Sequence, residues 1–186
     1  MGIIAEDDSD VAVIREFTLA LIRPRKLGFK RFVGDGCGKL RRKCRAWAEN
    51  LVQQGCLWIT IVHDLDVNDE RTLRTELECA VAHCGRTSIV LIPKREIETW
   101  LLYDPGAIAT AFRQRLHVKV PGNPESLPDP KRYLGDLIWR KYRKEYLNTI
   151  HNPLIAKHVD LSLLSASRSF RPHIGFARSV RTTLPR

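Results

Sequence analysis

Short apolar runs alternate with stretches of helical periodicity through the first hundred residues of the chain. Four runs rich in Ile, Val, Leu and Phe are typical of strands, and they cover residues 1–5, 29–33, 57–62 and 88–92. Between them, apolar residues spaced by three or four predict helices through Val11, Ile14, Phe17 and Leu21, through Leu40, Cys44, Trp47 and Leu51, and through Leu73, Leu77 and Val81. We expect Ser9 or Asp10 to cap the first helix. The alternation predicts an α/β fold with a parallel central sheet of about four strands and helices on both faces.

The chain beyond about residue 105 reads as a helical extension. Residues 97–112 predict a helix interrupted at Pro105 and Gly106, and the four prolines within 120–130 predict a loop. Two basic helices are expected after it, at residues 132–150 and 153–165. We therefore expect an α/β core over residues 1–105 and a basic, mainly helical extension over residues 106–186 that packs on it.

Positive charge is concentrated in this extension. The chain has 186 residues and a net charge of +10, but residues 131–186 hold 12 Lys or Arg against 3 Asp or Glu. Lys and Arg gain binding energy by displacing counterions from phosphates, so a basic surface beside a near-neutral domain predicts a nucleic-acid partner. The simpler alternative is a solvated helix face that aids solubility.

Neither the apolar runs nor the cysteines indicate a membrane or secreted protein. No run reaches the roughly 20 apolar residues that cross a bilayer, and no basic leader precedes the first apolar run. The five cysteines include no Cys-x-x-Cys pair, so we expect reduced, mostly buried thiols and no zinc site. The expected location is cytoplasmic, without membrane contact, and the sequence leaves the oligomeric state open.

Acidic residues directly follow the first and third predicted strands. Glu6 follows the first, and Asp64 and Asp66 follow the third. Ligands of open parallel sheets bind beyond the carboxyl ends of the strands, and a spacing of two would turn Asp64 and Asp66 to one ligand and Leu65 to the core. Three carboxylates this close repel one another unless a cation neutralises them. Mg²⁺ suits such a site because it binds a few carboxylate oxygens and keeps exchangeable waters.

A further acidic pair, Glu96 and Glu98, follows the fourth strand. Both would face the site in an extended segment, whereas only one could do so in a helix. We favour Glu98 as a catalytic residue, because it directly precedes the segment 99–102, and keep Glu96 as a candidate metal ligand.

The order of these acids resembles a known signature. Glu6 after Ile3-Ile4-Ala5, followed by Asp64-x-Asp66 after a hydrophobic strand, resembles the TOPRIM signature of topoisomerases, primases and the overcoming-lysogenization-defect nucleases. Residues 95–102 further resemble the Glu-x-Glu-x-Trp-Leu-Leu stretch of an uncharacterised bacterial TOPRIM-like family that is often linked to phage defence. Together these motifs cover roughly the first 105 residues.

The resemblance implies a TOPRIM or Rossmann-like core that hydrolyses phosphodiesters with the help of a metal. By it, Glu6 would be a general acid or base or the ligand of a second metal, while Asp64 and Asp66 would hold Mg²⁺, with Mn²⁺ as a substitute. It also implies an ATPase or another defence-system subunit as a partner. In one departure, the glycine that commonly follows the TOPRIM Glu is replaced by Asp7-Asp8-Ser9.

Several of these residues have simpler structural roles available. Asp64, Asp66 and Asp69 could serve as turn residues and caps of the third helix, and residues 6–10 could be a solvated cluster that caps the first. His63 alternates with Asp64 along the strand, so we expect it to be buried and to point away from the acids.

Two basic segments are candidate contacts for nucleic acid. The glycine-rich loop at residues 34–39 lacks the spacing of a Walker motif, so Lys39 is expected only to contact a substrate phosphate. Around residues 139–144 aromatics alternate with cations, which suits base stacking and phosphate contact. We expect Trp139 and Tyr142 to be at least half buried, and we expect solvent-facing positions for Arg140, Lys141, Arg143 and Lys144.

These observations lead to one primary functional prediction and two alternatives. The primary prediction is a Mg²⁺-dependent nuclease acting on DNA or RNA, of a defence or toxin type. A nucleic-acid-binding or partner-binding module with a degenerate site is the first alternative. The second is a receiver-like phosphoacceptor domain with Asp64 as the acceptor, against which the basic charge and the length of the chain argue.

Overall fold

The computed structural model describes residues 1–23, 25–34, 37–115 and 118–184 of the protein. Within these ranges the chain forms four strands, β1 (Gly2–Ala5), β2 (Lys30–Val33), β3 (Trp58–Val62) and β4 (Thr87–Leu91). The helices are α1 (Asp8–Ile22), α2 (Cys37–Gln53), α3 (Glu70–Ala82), α4 (Glu98–Leu101), α5 (Pro105–Ala111), α6 (Pro130–Tyr142), α7 (Asn148–His158) and α8 (Arg171–Thr183). Short 3₁₀ turns occupy Pro124–Ser126 and Leu163–Ala166.

The four strands form one parallel sheet in the order β2-β1-β3-β4. The sheet and the helices on both of its faces confirm the predicted α/β fold class. After β2 pairs with one side of β1, the chain crosses to the other side to form β3. The switch point of the sheet therefore lies between β1 and β3, where a ligand crevice is expected at the carboxyl ends of the strands.

Neighbouring residues of β1 serve opposite faces of the sheet. Ile3 belongs to a hydrophobic cluster with Val13 and Phe17 of α1, whereas Ile4 packs in a second cluster with residues of α2 and α3 such as Leu40 and Leu77. The period-two alternation of a strand thus separates two cores. The sheet is covered by α1 and α8 on one face, with α7 packed against α1, and by α2 and α3 on the other face.

The C-terminal extension shares the core on the α1 face. Trp100, Ile155 and Phe170 are completely buried in the same cluster as Phe17. The rings of Phe17 and Trp100 each meet the Phe170 ring edge-on, with centroids 5.2 Å apart. This packing brings residues from the second half of the chain close to the first helix.

Helix boundaries in the extension differ from the prediction. The interruption near Pro105 occurs as expected, with Pro105 in the first turn of α5 and Asp104 as its cap. In contrast, α7 continues through Pro153, where a new helix was predicted to begin. The sequence analysis assigned no helix to α8, although His173, Phe176, Ala177 and Val180 lie on its buried face.

Two further predictions concern membrane-spanning helices and the state of the cysteines. Within the described part of the chain, no helix is long and apolar enough to cross a membrane. Four cysteines are free thiols: Cys44 and Cys56 are buried, Cys84 is partly buried, and Cys79 is exposed. The prediction for Cys37 lies outside the side chains that the structure describes.

Candidate functional site

Carboxylates gather at the carboxyl ends of the two central strands. Glu6 directly follows β1, and Asp64 lies two residues beyond the end of β3. The backbone N–H of Asp64 donates a hydrogen bond to Glu6 Oε1 at 3.0 Å. This bond joins two of the predicted site residues across the switch point of the sheet.

Asp64 is the most constrained of these acids. The residue is partly exposed, but its Oδ1 atom is closed to solvent and has no hydrogen-bond partner among the described residues. Burial raises the pKa of the Asp64 carboxyl well above its ordinary value, and four neighbouring carboxylates add to the rise: Asp10, Glu98, Glu6 and Asp66. An unpartnered carboxylate oxygen among like charges is costly, and a bound proton or cation removes much of that cost.

Asp10 belongs to this cluster, although the sequence analysis gave it only a capping role. The cap of α1 is Asp7, so the prediction of Ser9 or Asp10 as the cap was wrong. Asp7 Oδ1 accepts from the Asp10 N–H at 3.0 Å, and Asp10 Oδ2 accepts from the Asp7 N–H at 3.4 Å. Asp10 is only 5% exposed, and burial followed by the charges of Asp7 and Glu98 raises its pKa well above the ordinary value. The Asp-x-x-Asp spacing of this capping box was the available signal in the sequence.

Glu96 and Glu98, the acidic pair after β4, have different neighbours. Glu98, in the first turn of α4, is 2% exposed and contributes to the raised pKa values of Asp64 and Asp10. Glu96 instead accepts a hydrogen bond at 2.8 Å from the backbone N–H of Lys131, in the first turn of α6. Only Glu98 therefore lies with the cluster, and the observed role of Glu96 is to bind a helix terminus.

Asp66 lies beside the cluster, and its backbone conformation is not that of an extended strand. Its φ of 46° is left-handed, which breaks the extended alternation that would have turned Asp64 and Asp66 the same way. Burial and the charge of Glu6 raise the pKa of Asp66, while His63 and Arg95 oppose the rise. Leu65 between the two aspartates is buried, as predicted.

His63 is fully buried as predicted, but the prediction that it points away from the acids was wrong. Its Nδ1 lies 3.0 Å from Glu6 Oε1 and 2.7 Å from the carbonyl oxygen of Asp64. Strand alternation no longer applies here because β3 ends at Val62. Both neighbours are acceptors, so Nδ1 carries a proton and holds Glu6 in place. Burial lowers the pKa of His63, but the hydrogen bond and charge of Glu6 raise it above its ordinary value.

The C-terminal extension supplies polar partners that the sequence analysis missed. Asn152 is completely buried, and its Nδ2 donates to Glu98 Oε1 at 3.0 Å and to Ser9 Oγ at 2.9 Å. Tyr146 donates to Glu98 Oε1 at 3.0 Å, and its hydroxyl also contacts Asn152 Oδ1. Burial and the nearby Glu98 raise the pKa of Tyr146, so it stays a neutral phenol. The extension thus fixes the acid of α4 against the start of α1.

The chemistry of this donor set fits Mg²⁺. Carboxylate oxygens are the ligands that Mg²⁺ prefers, and Asp64 Oδ1 is closed to solvent without a hydrogen-bond partner. In the described residues, no three His, Cys, Asp or Glu side chains already stand in a metal-binding group. Ion binding would therefore require a rearrangement of the side chains around Asp64, and the candidate ligands beside it are Asp10, Glu98, Glu6 and Asp66.

The predicted nucleic-acid contacts belong to the start of α2 and to the segment around the end of α6. Lys39 is exposed in the first turn of α2, which begins inside the predicted loop, and positions 35 and 36 of that loop lie outside the described residues. The four predicted cations of the extension are solvent-facing as expected: Arg140, Lys141, Arg143 and Lys144. We call them, with Trp139, the α6 basic surface.

The two aromatics of this segment behave differently. Trp139 is 55% exposed, so the prediction that it would be at least half buried was wrong. Tyr142 is partly buried, and its ring stacks on Phe112 at a centroid distance of 6.0 Å. The buried side of α6 is set by Leu134 and Ile138. Tyr142 falls on that side because it follows Ile138 by four residues, whereas Trp139 is turned about 100° away.

Comparison with known proteins assigns no relative to this chain. No family model matches it, and the searches of curated proteins and of solved structures found no match.

Proposed function

We propose that this chain is a Mg²⁺-dependent nuclease that hydrolyses phosphodiester bonds of DNA or RNA. The observation that supports this most strongly is the closed, unpartnered Oδ1 of Asp64 beside Asp10, Glu98 and Glu6. Strongly perturbed carboxylates in a crevice are typical of functional sites, and these lie at the switch point of a parallel sheet. The TOPRIM likeness of the motifs at Glu6 and Asp64 points to the same chemistry.

The proposed roles follow from how each side chain is held. When bound, Mg²⁺ polarises a phosphoryl oxygen and lowers the pKa of an attacking water. Asp64 and Asp10 would hold the ion, since their carboxylates gain most from a positive charge. Glu6 is fixed by His63 and by the Asp64 N–H, which suits a group that takes a proton from water at a defined position. Asp66 would contribute a further carboxylate oxygen to the ion, on the more exposed side of the cluster.

The α6 basic surface is the proposed binding region for the nucleic acid. Its cations would contact phosphates, and the exposed ring of Trp139 would stack on an unpaired base. A role in phage defence or as a toxin, with an ATPase or another subunit as partner, follows only from the family resemblance. The free thiols at Cys44, Cys56 and Cys79 support a reducing compartment such as the cytoplasm.

A second candidate is a nucleic-acid-binding module that does not cleave. It is favoured by the observation that the described acids do not already form a metal-binding group. The receiver-like alternative is weaker, because the basic charge and the length of the chain argue against it. Phosphorylation of Asp64 by a small phosphodonor would support that alternative.

Cleavage of labelled single-stranded DNA, duplex DNA and RNA, in Mg²⁺, Mn²⁺ or EDTA, tests the proposal. We expect metal-dependent cutting that falls at least about 100-fold in Glu6→Gln and in Asp64→Asn. Asp69→Asn is a matched control, because Asp69 lies in the same loop, is exposed and caps α3, a role that Asn fills equally well. Binding without cutting, unchanged in the two site variants, would favour the non-cleaving module.

A further inference from the structure

A separate cavity of about 730 Å³ lies beside the edge strand β4. It is formed by the first turns of α3, by the residues that follow β4, and by the loops at residues 122–125 and 166–169. None of the clustered carboxylates at Glu6, Asp10, Asp64 and Glu98 lines it. Its volume falls within the range of roughly 300–1,000 Å³ that is typical of small-molecule sites.

The acidic side chains of this cavity already have partners. Glu70 Oε1 accepts from Arg74 at 3.2 Å, and Arg74 also donates to the carbonyl oxygen of Val90 at 3.0 Å. Glu125 Oε1 accepts from Ser167 Oγ, and from both Oγ and the backbone N–H of Ser169. Both carboxylates, and Arg74 with them, therefore already have partners within the protein.

Two cations of the same cavity remain available to a ligand. Lys94 and Arg168 are exposed, and neither side chain has an ion-pair partner among the described residues. They come from different segments of the lining, since Lys94 follows β4 and Arg168 precedes α8. An Arg and a Lys that line one cavity favour an anion there, and phosphate groups suit the planar donors of Arg in particular.

The rest of the lining suits a group larger than phosphate. Tyr103 and Asn123 also line the cavity. Asn123 Oδ1 accepts from the backbone N–H of Glu125 at 3.2 Å, which leaves the Nδ2 of Asn123 for a ligand. An aromatic face and an amide are the groups that commonly hold a nucleobase or sugar next to a bound phosphate.

We propose that this cavity binds a nucleotide through its phosphate, with Lys94 and Arg168 as the phosphate ligands and Tyr103 and Asn123 beside the base or sugar. The nucleotide is either free or one unit of a nucleic-acid strand. The inference does not depend on cleavage or on the metal, because none of the proposed metal ligands lines the cavity.

Calorimetric titration in EDTA tests this inference with four probes: 5′-AMP, adenosine, a 5′-phosphorylated thymidine trinucleotide and its unphosphorylated form. The double variant Lys94→Gln/Arg168→Gln is compared with Lys157→Gln/Arg178→Gln, which removes the same charge from exposed positions outside the cavity. Thermal melting of both variants checks that they fold. EDTA removes Mg²⁺, so failure of the nuclease proposal does not alter this result.

We expect only the phosphorylated probes to bind. Their affinity should fall at least about tenfold in Lys94→Gln/Arg168→Gln and stay within about twofold of wild type in Lys157→Gln/Arg178→Gln. Binding of 5′-AMP with this pattern identifies a free nucleotide as the ligand. Binding of the trinucleotide but not 5′-AMP, with the same pattern, identifies a strand. Equal affinity in the two double variants, or no binding of either phosphorylated probe, overturns the inference.

Discussion

The carboxylate cluster predicts that a site substitution will stabilise the metal-free protein. Asp64→Asn keeps the shape of the side chain but removes one charge from the centre of the cluster. Because Asp64 Oδ1 has no hydrogen-bond partner, the substitution sacrifices no described bond at that atom. A residue that served only as a turn or cap would show little change in stability, because Asn fills those roles as well as Asp.

The expected size follows from the repulsion that the substitution relieves. Two unit charges at roughly 6 Å repel by about 3 kcal/mol at an effective dielectric of about 20. Four carboxylates raise the pKa of Asp64. Partial protonation of the cluster in the wild type reduces the benefit, so we expect a net stabilisation of about 2 kcal/mol at neutral pH. For a chain of this length, that corresponds to an increase in Tm of about 4–8 °C.

The assay is thermal and urea unfolding of wild type and Asp64→Asn, in EDTA and in excess Mg²⁺. In EDTA the variant should be the more stable protein. Mg²⁺ should stabilise only the wild type, so it should narrow or reverse the difference in unfolding free energy between the two proteins. The difference in EDTA should also shrink as the pH falls. Since burial and like charge raise the pKa of folded Asp64, the wild type binds its proton first in the folded state and loses the repulsion. A variant no more stable than the wild type in EDTA would refute the reasoning.

Three further predictions concern the rest of the molecule. Asn152→Ala should lower the free energy of unfolding by about 3–5 kcal/mol in a urea titration, because it leaves buried polar groups without partners. The control Asn148→Ala loses one hydrogen bond of 3.4 Å and should cost less than about 1 kcal/mol. His173 is buried with its pKa lowered to about 4, so the folded state excludes a proton that the unfolded state binds below about pH 6.5. The wild type should then lose about 2 kcal/mol of stability between pH 7 and pH 5 relative to His173→Gln, and parallel pH dependence of the two proteins would contradict this assignment. Trp139→Ala should weaken binding of single-stranded nucleic acid with little change in the salt dependence of the affinity. Lys141→Gln should weaken binding and also reduce that salt dependence. Unchanged affinity in both variants would exclude the α6 basic surface as the binding region.

Local patterns were sufficient to predict the sheet and the position of its acids. The apolar runs at β1 and β3 are continuous because both strands are buried on both faces. Glu6 directly follows β1, and Asp64 lies two residues beyond β3. Once the parallel sheet was inferred, its carboxyl edge followed from topology. The separation of Glu96 from Glu98 also follows a local rule, since a helix begins between them.

The remaining parts of the site depend on contacts between distant residues. Asn152 and Tyr146 reach Glu98 across 54 and 48 positions of sequence, so no local spacing reveals them. Asp10 was attributed to capping alone because capping and metal binding use the same acidic residues near a helix start. The prediction for His63 was wrong because it extended strand alternation beyond the last strand residue, Val62.

Direct measurement of Mg²⁺ binding tests the central claim, that the carboxylates around Asp64 form a metal site. Calorimetric titration of Mg²⁺ into the wild type, Asp64→Asn and Asp69→Asn separates this site from general attraction to acidic surface. We predict saturable binding to the wild type and to Asp69→Asn, with affinity reduced at least about tenfold in Asp64→Asn. Equal Mg²⁺ affinity in all three proteins, or no saturable binding to the wild type, would contradict the account.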